Sequence, residues 1–183
     1  MHETLTLWHA DHVNFARLLD LLEEELQRFH QGDSPQYELM LDIMYYMTHY
    51  PDVLHHPKED LVFAIVKVRK ASVAGVVDEL AEQHIMIKEL GDELVRDLDD
   101  IVNGSITPRA RLEEAARAYI TSFRTHMRKE EAEILPLAAQ LLDAKDWSDI
   151  SAKIRHIEDP LFGTSAEERY SALRRQIARE ARA

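Results

Sequence analysis

Cysteine is absent from the 183 residues. That excludes disulfides, thiolate metal ligands and thiol nucleophiles, and it fits a reducing compartment. Glycine (5) and proline (6) are scarce, and runs of β-branched residues are short, so an all-helical fold is expected. No run of about 18 apolar residues occurs, and the N-terminus shows no basic segment followed by an apolar one. The expectation is a cytoplasmic chain that does not enter a membrane. Basic residues are also in deficit: 22 Lys and Arg face 34 Asp and Glu, a net charge of −12. This argues against nucleic acid and anionic membrane surfaces as partners. What remains is 45% hydrophobic and 31% charged, the composition of a globular domain long enough to bury a core. Ten histidines are many for this length, and their placement carries the rest of the reading.

Four helical seams organise the chain. The first runs from about Glu3 to Phe29. Its apolar positions Leu5, Trp8, His12, Phe15, Leu19, Leu22, Leu26 and Phe29 are spaced alternately 3 and 4 apart, a continuous core stripe in which one position is a histidine. His9 lies a turn earlier at the edge of that stripe. After a turn at Gln31–Pro35, with Ser34 as expected N-cap and Pro35 as first helical residue, the second helix extends to about Lys70. Pro51 should kink it near Tyr50-Pro51-Asp52. His55 and Glu59 then share a face, four residues apart. His56 reads as a supporting or surface residue, and Asp60 as solvent-facing or supporting another ligand. The third helix, from about Ser72 to Asn103-Gly104, has the stripe Val73, Val77, Leu80, His84, Ile87, Gly91, Leu94, Leu98 and Ile101. Gly91 there serves either close packing or a small ligand. The fourth, from about Pro108 to Leu142 and opened by Thr107-Pro108, carries His126 and Glu130 at core positions of a stripe that includes Leu112, Ala116, Tyr119, Phe123, Ile134, Leu137 and Leu141. Beyond it, Asp146–Glu158 reads as a short helix and Asp159–Gly163 as a turn. A capping box at Ser165–Glu168 starts a last helix with Tyr170, Leu173 and Ile177 inward. The expected organisation is a bundle over residues 1–142, antiparallel and up-down-up-down, with residues 143–183 as a helical extension packed on it. The extension is a candidate contact for a second copy of the chain or for a protein partner.

A single histidine on an apolar stripe is ordinarily a core residue bonded to a carbonyl. Four at one height are a different matter. His12 stands 18 residues before His30 and His55 stands 20 after Pro35; His84 stands 19 before Asn103 and His126 stands 18 after Pro108. With about 1.5 Å rise per residue and short connections, the four share one layer of an antiparallel bundle. Burying them there with two carboxylates is costly unless they are satisfied, and a metal satisfies them. His12, His55, Glu59, His84, His126 and Glu130 are too many ligands for one tetrahedral zinc but suit two octahedral ions bridged by the carboxylates and an oxo or hydroxo group. Imidazole and carboxylate without sulfur favour Fe or Mn over soft metals, though Zn and Ni would also bind. Positions left open would take dioxygen, nitric oxide or peroxide. No residue of the set is assigned a catalytic role, and whether the chain is an enzyme is left open.

Taken together, Asp11-His12, His55-His56-Pro57-Lys58-Glu59-Asp60, His84 and His126-Met127-Arg128-Lys129-Glu130-Glu131 resemble, in order, the motif segments of the hemerythrin-like, or HHE cation-binding, family. Tyr50-Pro51-Asp52 and Asp159–Gly163 are similar to segments of its bacterial members. The resemblance implies a four-helix bundle around a non-haem di-iron centre, with roles in oxidative or nitrosative stress or iron handling. A peroxide-degrading enzyme and a metal-dependent sensor or iron donor are the alternatives. One departure bears on ligand count: the oxygen carriers have His-x-x-x-His on the third helix, whereas Lys88 stands four residues after His84. His9, Tyr45 and His56 are the candidates to supply the missing ligand or to support the others.

Overall fold

A computed structural model describes residues 2–153, 157–164 and 167–180. It is all-α, with no strand among the described residues. Helix α1 (Glu3–Gln31) follows the long first stripe, and Phe15, Leu19 and Leu22 on it are fully buried. Burying a side chain of this size contributes about 1.5–3 kcal/mol, so the stripe dictates which face of α1 turns inward. Gly32 ends it at φ 98°, and its N–H bonds back to the carbonyls of Arg28 and Phe29. That left-handed stop is one glycine adopts without a Cβ penalty.

Helix α2 (Tyr37–His49) begins later than the Ser34-Pro35 signal suggests. Its N-cap is Gln36, and the cap comes from another helix: the buried Glu25 carboxylate of α1 accepts the Gln36 backbone N–H at 2.8 Å and its side-chain amide at 3.3 Å. A carboxylate from a neighbouring helix satisfies an orphan donor as well as a local serine does, and favours the positive end of the helix dipole. At Pro51 the chain does not break; it widens into a π-helical turn (Pro51–His55) that runs into α3 (His56–Arg69). After a short 3₁₀ turn comes α4 (Ala74–Val102), and then α5 (Arg109–Lys129), whose N-cap position is Pro108 rather than Thr107. A second π-helical turn (Glu130–Ile134) joins α5 to α6 (Leu135–Leu141). Such turns insert a residue into the helical ladder and recur at functional sites. Both here carry metal-ligand candidates.

In the tail, α7 (Ala144–Lys153) starts where Asp143 Oδ1 accepts the N–H groups of Lys145 and Asp146. The expected continuation of this helix to Glu158 crosses residues 154–156, outside the described residues, as do Ser165 and Ala166 of the expected capping box. Asp159 Oδ1 accepts the N–H groups of Leu161 and Phe162 and closes the expected turn. A 3₁₀ turn (Glu168–Tyr170) leads into α8 (Ser171–Glu180). Leu161, Tyr170, Leu173 and Ile177 join the same buried cluster as Phe15, Met40 and Phe123. No helix among the described residues is long and apolar enough to cross a membrane.

Gly91 turns out to serve close packing. A β-carbon on it would lie 2.8 Å from Thr48 Cγ2 on α2 and 3.1 Å from Tyr119 Cε2 on α5. Gly91→Ala is therefore expected to push α4 away from both neighbours and to cost about 1–3 kcal/mol, read as a lower urea midpoint. An unchanged midpoint would mean that Thr48 and Tyr119 give way freely.

Candidate metal centre

The layer assembles. His12, His55, Glu59, His84, His126 and Glu130 are all buried, and Glu59, His126 and Glu130 have no exposed surface. In one half, His12 Nε2 and His55 Nε2 stand 3.1 Å apart. Glu59 Oε1 lies 3.0 Å from His55 Nε2 and 3.5 Å from His12 Nε2, and Glu130 Oε2 lies 3.5 Å from His12 Nε2. In the other half, Glu130 Oε1 is 3.0 Å from His126 Nε2 and 3.6 Å from His84 Nε2, and Glu59 Oε2 is 3.7 Å from His84 Nε2. Each carboxylate thus directs one oxygen to each pair of imidazoles.

The outer nitrogens explain why the inner ones point in. His12 Nδ1 donates to Glu131 at 2.9 Å, His55 Nδ1 to Asp11 at 3.0 Å, His84 Nδ1 to Asp60 at 3.0 Å, and His126 Nδ1 to Gln83 Oε1 at 3.1 Å. Carboxylates and an amide oxygen only accept, so the hydrogen sits on Nδ1 and the lone pair on Nε2 faces the centre. This is the outer support that metal-binding histidines receive. Of these partners, only Asp60 was anticipated as supporting a ligand. Asp11, Gln83 and Glu131 were missed, although a signal existed: each is the sequence neighbour of a ligand candidate.

Four carboxylate oxygens, from Glu59 and Glu130, together with His84 Nε2 and His126 Nε2, are fully buried with no hydrogen-bond donor. Neutral imidazole lone pairs facing carboxylate lone pairs repel until a cation lies between them. In the metal-free chain that cation is a proton. Burial depresses His12, but the hydrogen bond to Glu131 and the nearby charges of Glu59 and Glu130 outweigh it and raise it to about 10. His84 is likewise raised to about 10 by Asp60, Glu130 and Glu59 against its burial. Burial opposes ionisation of Glu59, yet the facing imidazoliums of His55 and His12 hold it well below 4.5. The donor set therefore fits divalent or trivalent cations of the imidazole-and-oxygen type.

His56 is deeper than the sequence reading placed it. It is buried, its ring stacks on His84 at 4.3 Å and meets His126 at 5.4 Å, and with Glu59, His84 and His126 it offers four ligand atoms within 4.8 Å of one another. His12, His55 and Glu59 form the second such group. Consecutive helical side chains diverge by about 100°, so His55, the last residue of the π-helical turn, meets His12 of α1, while His56, the first of α3, meets His84 of α4 and His126 of α5. Its Nδ1 lies 3.2 Å from Asp52 Oδ1, and burial pushes the Asp52 carboxyl up to about 7. Burial, then the charge of His84, lowers His56 well below 6.5, so it stays an uncharged donor. His9 is exposed and shares Glu131 Oε1 with His12, at 2.9 Å. Tyr45 lies apart from both groups, stacked on His49 and covered by the Arg169 guanidinium.

One comparison with known proteins bears on this centre: residues 3–138 match the family described as the hemerythrin HHE cation-binding domain. No curated protein and no solved structure matches the chain.

Proposed function

The chain belongs to the hemerythrin HHE cation-binding family, and on that premise we propose that it holds two iron ions and binds one small ligand, dioxygen, nitric oxide or peroxide, between four antiparallel helices. The observation that carries this reading is the pair of buried carboxylates, each with one oxygen toward each imidazole group. The ligands are His12 and His55 in one half, His56, His84 and His126 in the other, and Glu59 and Glu130 shared. Manganese or zinc would fit the same donors less selectively. A common ligand layer also supports the up-down-up-down order of the bundle at 1–142, on which we propose that residues 143–183 pack as an extension.

Bound iron would supply redox-active coordination to a small oxygen- or nitrogen-containing molecule. The protein's own part is to prepare the site. Asp11, Asp60, Glu131 and Gln83 hold the imidazoles in one tautomer. Phe15, Phe63 and Phe123, all buried, exclude water around the layer. The His12/His55 half has one imidazole fewer, so an ion held there would be shorter of protein donors and would leave room for the small ligand. A groove of about 580 Å³ lies against this half, lined by His9, His12, Val13, Met127 and Glu131 among others. Residues so placed suit the binding of a single small ligand, and a role in oxidative or nitrosative stress or iron handling follows from the ligands named. Peroxide breakdown at the same centre is the alternative.

The test is the metal content of protein from iron-replete cells, followed by optical titration with azide and nitric oxide. Two irons per chain and one exogenous ligand per pair are expected. No stoichiometric metal after anaerobic loading with iron or manganese would make the buried histidines ordinary core residues.

A further inference from the structure

The centre is joined to a buried tyrosine that has its own base. The His55 ring meets Phe15 edge-on at 5.1 Å, Phe15 meets Tyr50 at 6.2 Å, and Tyr50 stacks on Tyr46 at 5.4 Å and 18°. Tyr46 has no exposed surface and donates its hydroxyl hydrogen to Asp159 Oδ2 at 2.8 Å. Asp159 is fixed in that posture because its other oxygen accepts two backbone N–H groups. Tyr50 and Asp159 also line a cavity of about 410 Å³, with Trp8, Asp11 and Lys58. A buried phenol hydroxyl needs an acceptor in any case; a carboxylate in that place, unlike a carbonyl, can also take its proton.

We propose that Tyr46 and Asp159 form a proton-coupled electron relay that feeds the metal centre through Tyr50 and Phe15. The relay rests on the iron reading above. In the step, the Tyr46 O–H bond breaks. Its proton forms the O–H of Asp159, and its electron passes along the rings toward the metal site, where bound iron would hand it on to peroxide; two such turns, with the two protons that two reductant molecules release on losing their electrons, convert one peroxide to two waters. A small one-electron reductant of the enediol or phenol class, entering the cavity, returns an electron to the neutral tyrosyl radical, and Asp159 returns the proton. The step needs no solvent at Tyr46, which suits its burial. Burial also raises the Asp159 carboxyl above its ordinary range, which makes it a better proton acceptor.

The test uses the full chain loaded with iron and counted. It is mixed with peroxide without reductant and freeze-quenched for electron paramagnetic resonance. A tyrosyl signal is expected, narrowed when the protein carries ring-deuterated tyrosine, absent in Tyr46→Phe and kept in Tyr50→Phe. Asp159→Asn can still accept the hydrogen bond but cannot take the proton. It should slow radical formation by about 100-fold, the lower end of what a positioned proton acceptor contributes. Both Tyr46→Phe and Asp159→Asn should keep their iron, which a merely structural fastening would not separate from the radical. Two irons with no radical, or a radical that survives Tyr46→Phe or forms at the native rate in Asp159→Asn, overturns the relay and leaves the iron reading standing. Failure to take up iron overturns both.

Discussion

Glu59→Gln is expected to empty both metal positions at once, whereas His126→Ala is expected to empty one. The reason is the sharing of the carboxylate. Glu59 Oε1 lies against His55 and His12, and Oε2 faces His84 in the other half. Glutamine keeps the shape but removes the negative charge and replaces one oxygen with an amide that donates. Loss of an outer partner of a ligand costs roughly 10–100-fold in metal affinity, so loss of a shared inner ligand should cost more than about 100-fold for both ions. His126 instead faces only Glu130 Oε1 among the carboxylate oxygens at ion-pair distance. Metal analysis after gel filtration distinguishes the outcomes: near zero for Glu59→Gln, about half for His126→Ala. Equal losses in the two variants would mean that Glu59 serves a single ion. Full metal in His126→Ala would remove that histidine from the set.

Chelation is expected to lower the melting temperature steeply, and by an amount that grows with pH. An ion present at about 1,000 times its dissociation constant stabilises the folded chain by about 4 kcal/mol. For a domain of this size that is about 8–16 °C per ion. The pH dependence follows from what replaces the metal. In the metal-free chain His12 and His84 are held protonated, with folded values raised from 6.5 to about 10. A raised base contributes stability that is full below 6.5 and is lost as the pH climbs through about 10. On the acid side the depressed Glu59 gives up its contribution as pH falls below 4.5, and His56, held neutral, resists folding below 6.5. Bound metal takes the place of those protons, so the loaded protein keeps its stability between 6.5 and about 10 while the metal-free protein loses it. Calorimetry of both forms across that range reads the gap. A gap that stays flat would show that the metal-free histidines are not charged.

The seams show why so much of the centre was readable. A residue every three or four positions faces one way along a helix whatever surrounds it, so Trp8, His12, Phe15 and Leu19 had to share a face. A histidine or carboxylate in such a stripe stands out because its burial needs a partner. Counting residues to each short connection then placed His12, His55, His84 and His126 at one height. Features that depend on a break in the 3.6-residue period did not follow from it. The π-helical turns at Pro51–His55 and Glu130–Ile134 each add a residue to a turn, and periodicity alone shows only that a proline disturbs the helix. The cap of α2 was misplaced because Glu25, eleven residues before Gln36, supplies it from another helix.

Sequence alone therefore determined the all-α class, the inward face of each long helix, and a layer of four histidines and two carboxylates, because these follow from local geometry and the cost of burying charge. Tertiary structure decided how that layer is divided and supported. Glu131 lies next to Glu130 but serves His12, Asp11 lies next to His12 but serves His55, Asp60 lies next to Glu59 but serves His84, and Gln83 lies next to His84 but serves His126. Adjacency sets the height of each outer partner; only the side-by-side packing of helices chooses the imidazole it reaches. The same packing turned His56 inward beside His84. A residue 100° from the main stripe finds no partner on its own helix; His84 of α4 and His126 of α5 supply His56 with one.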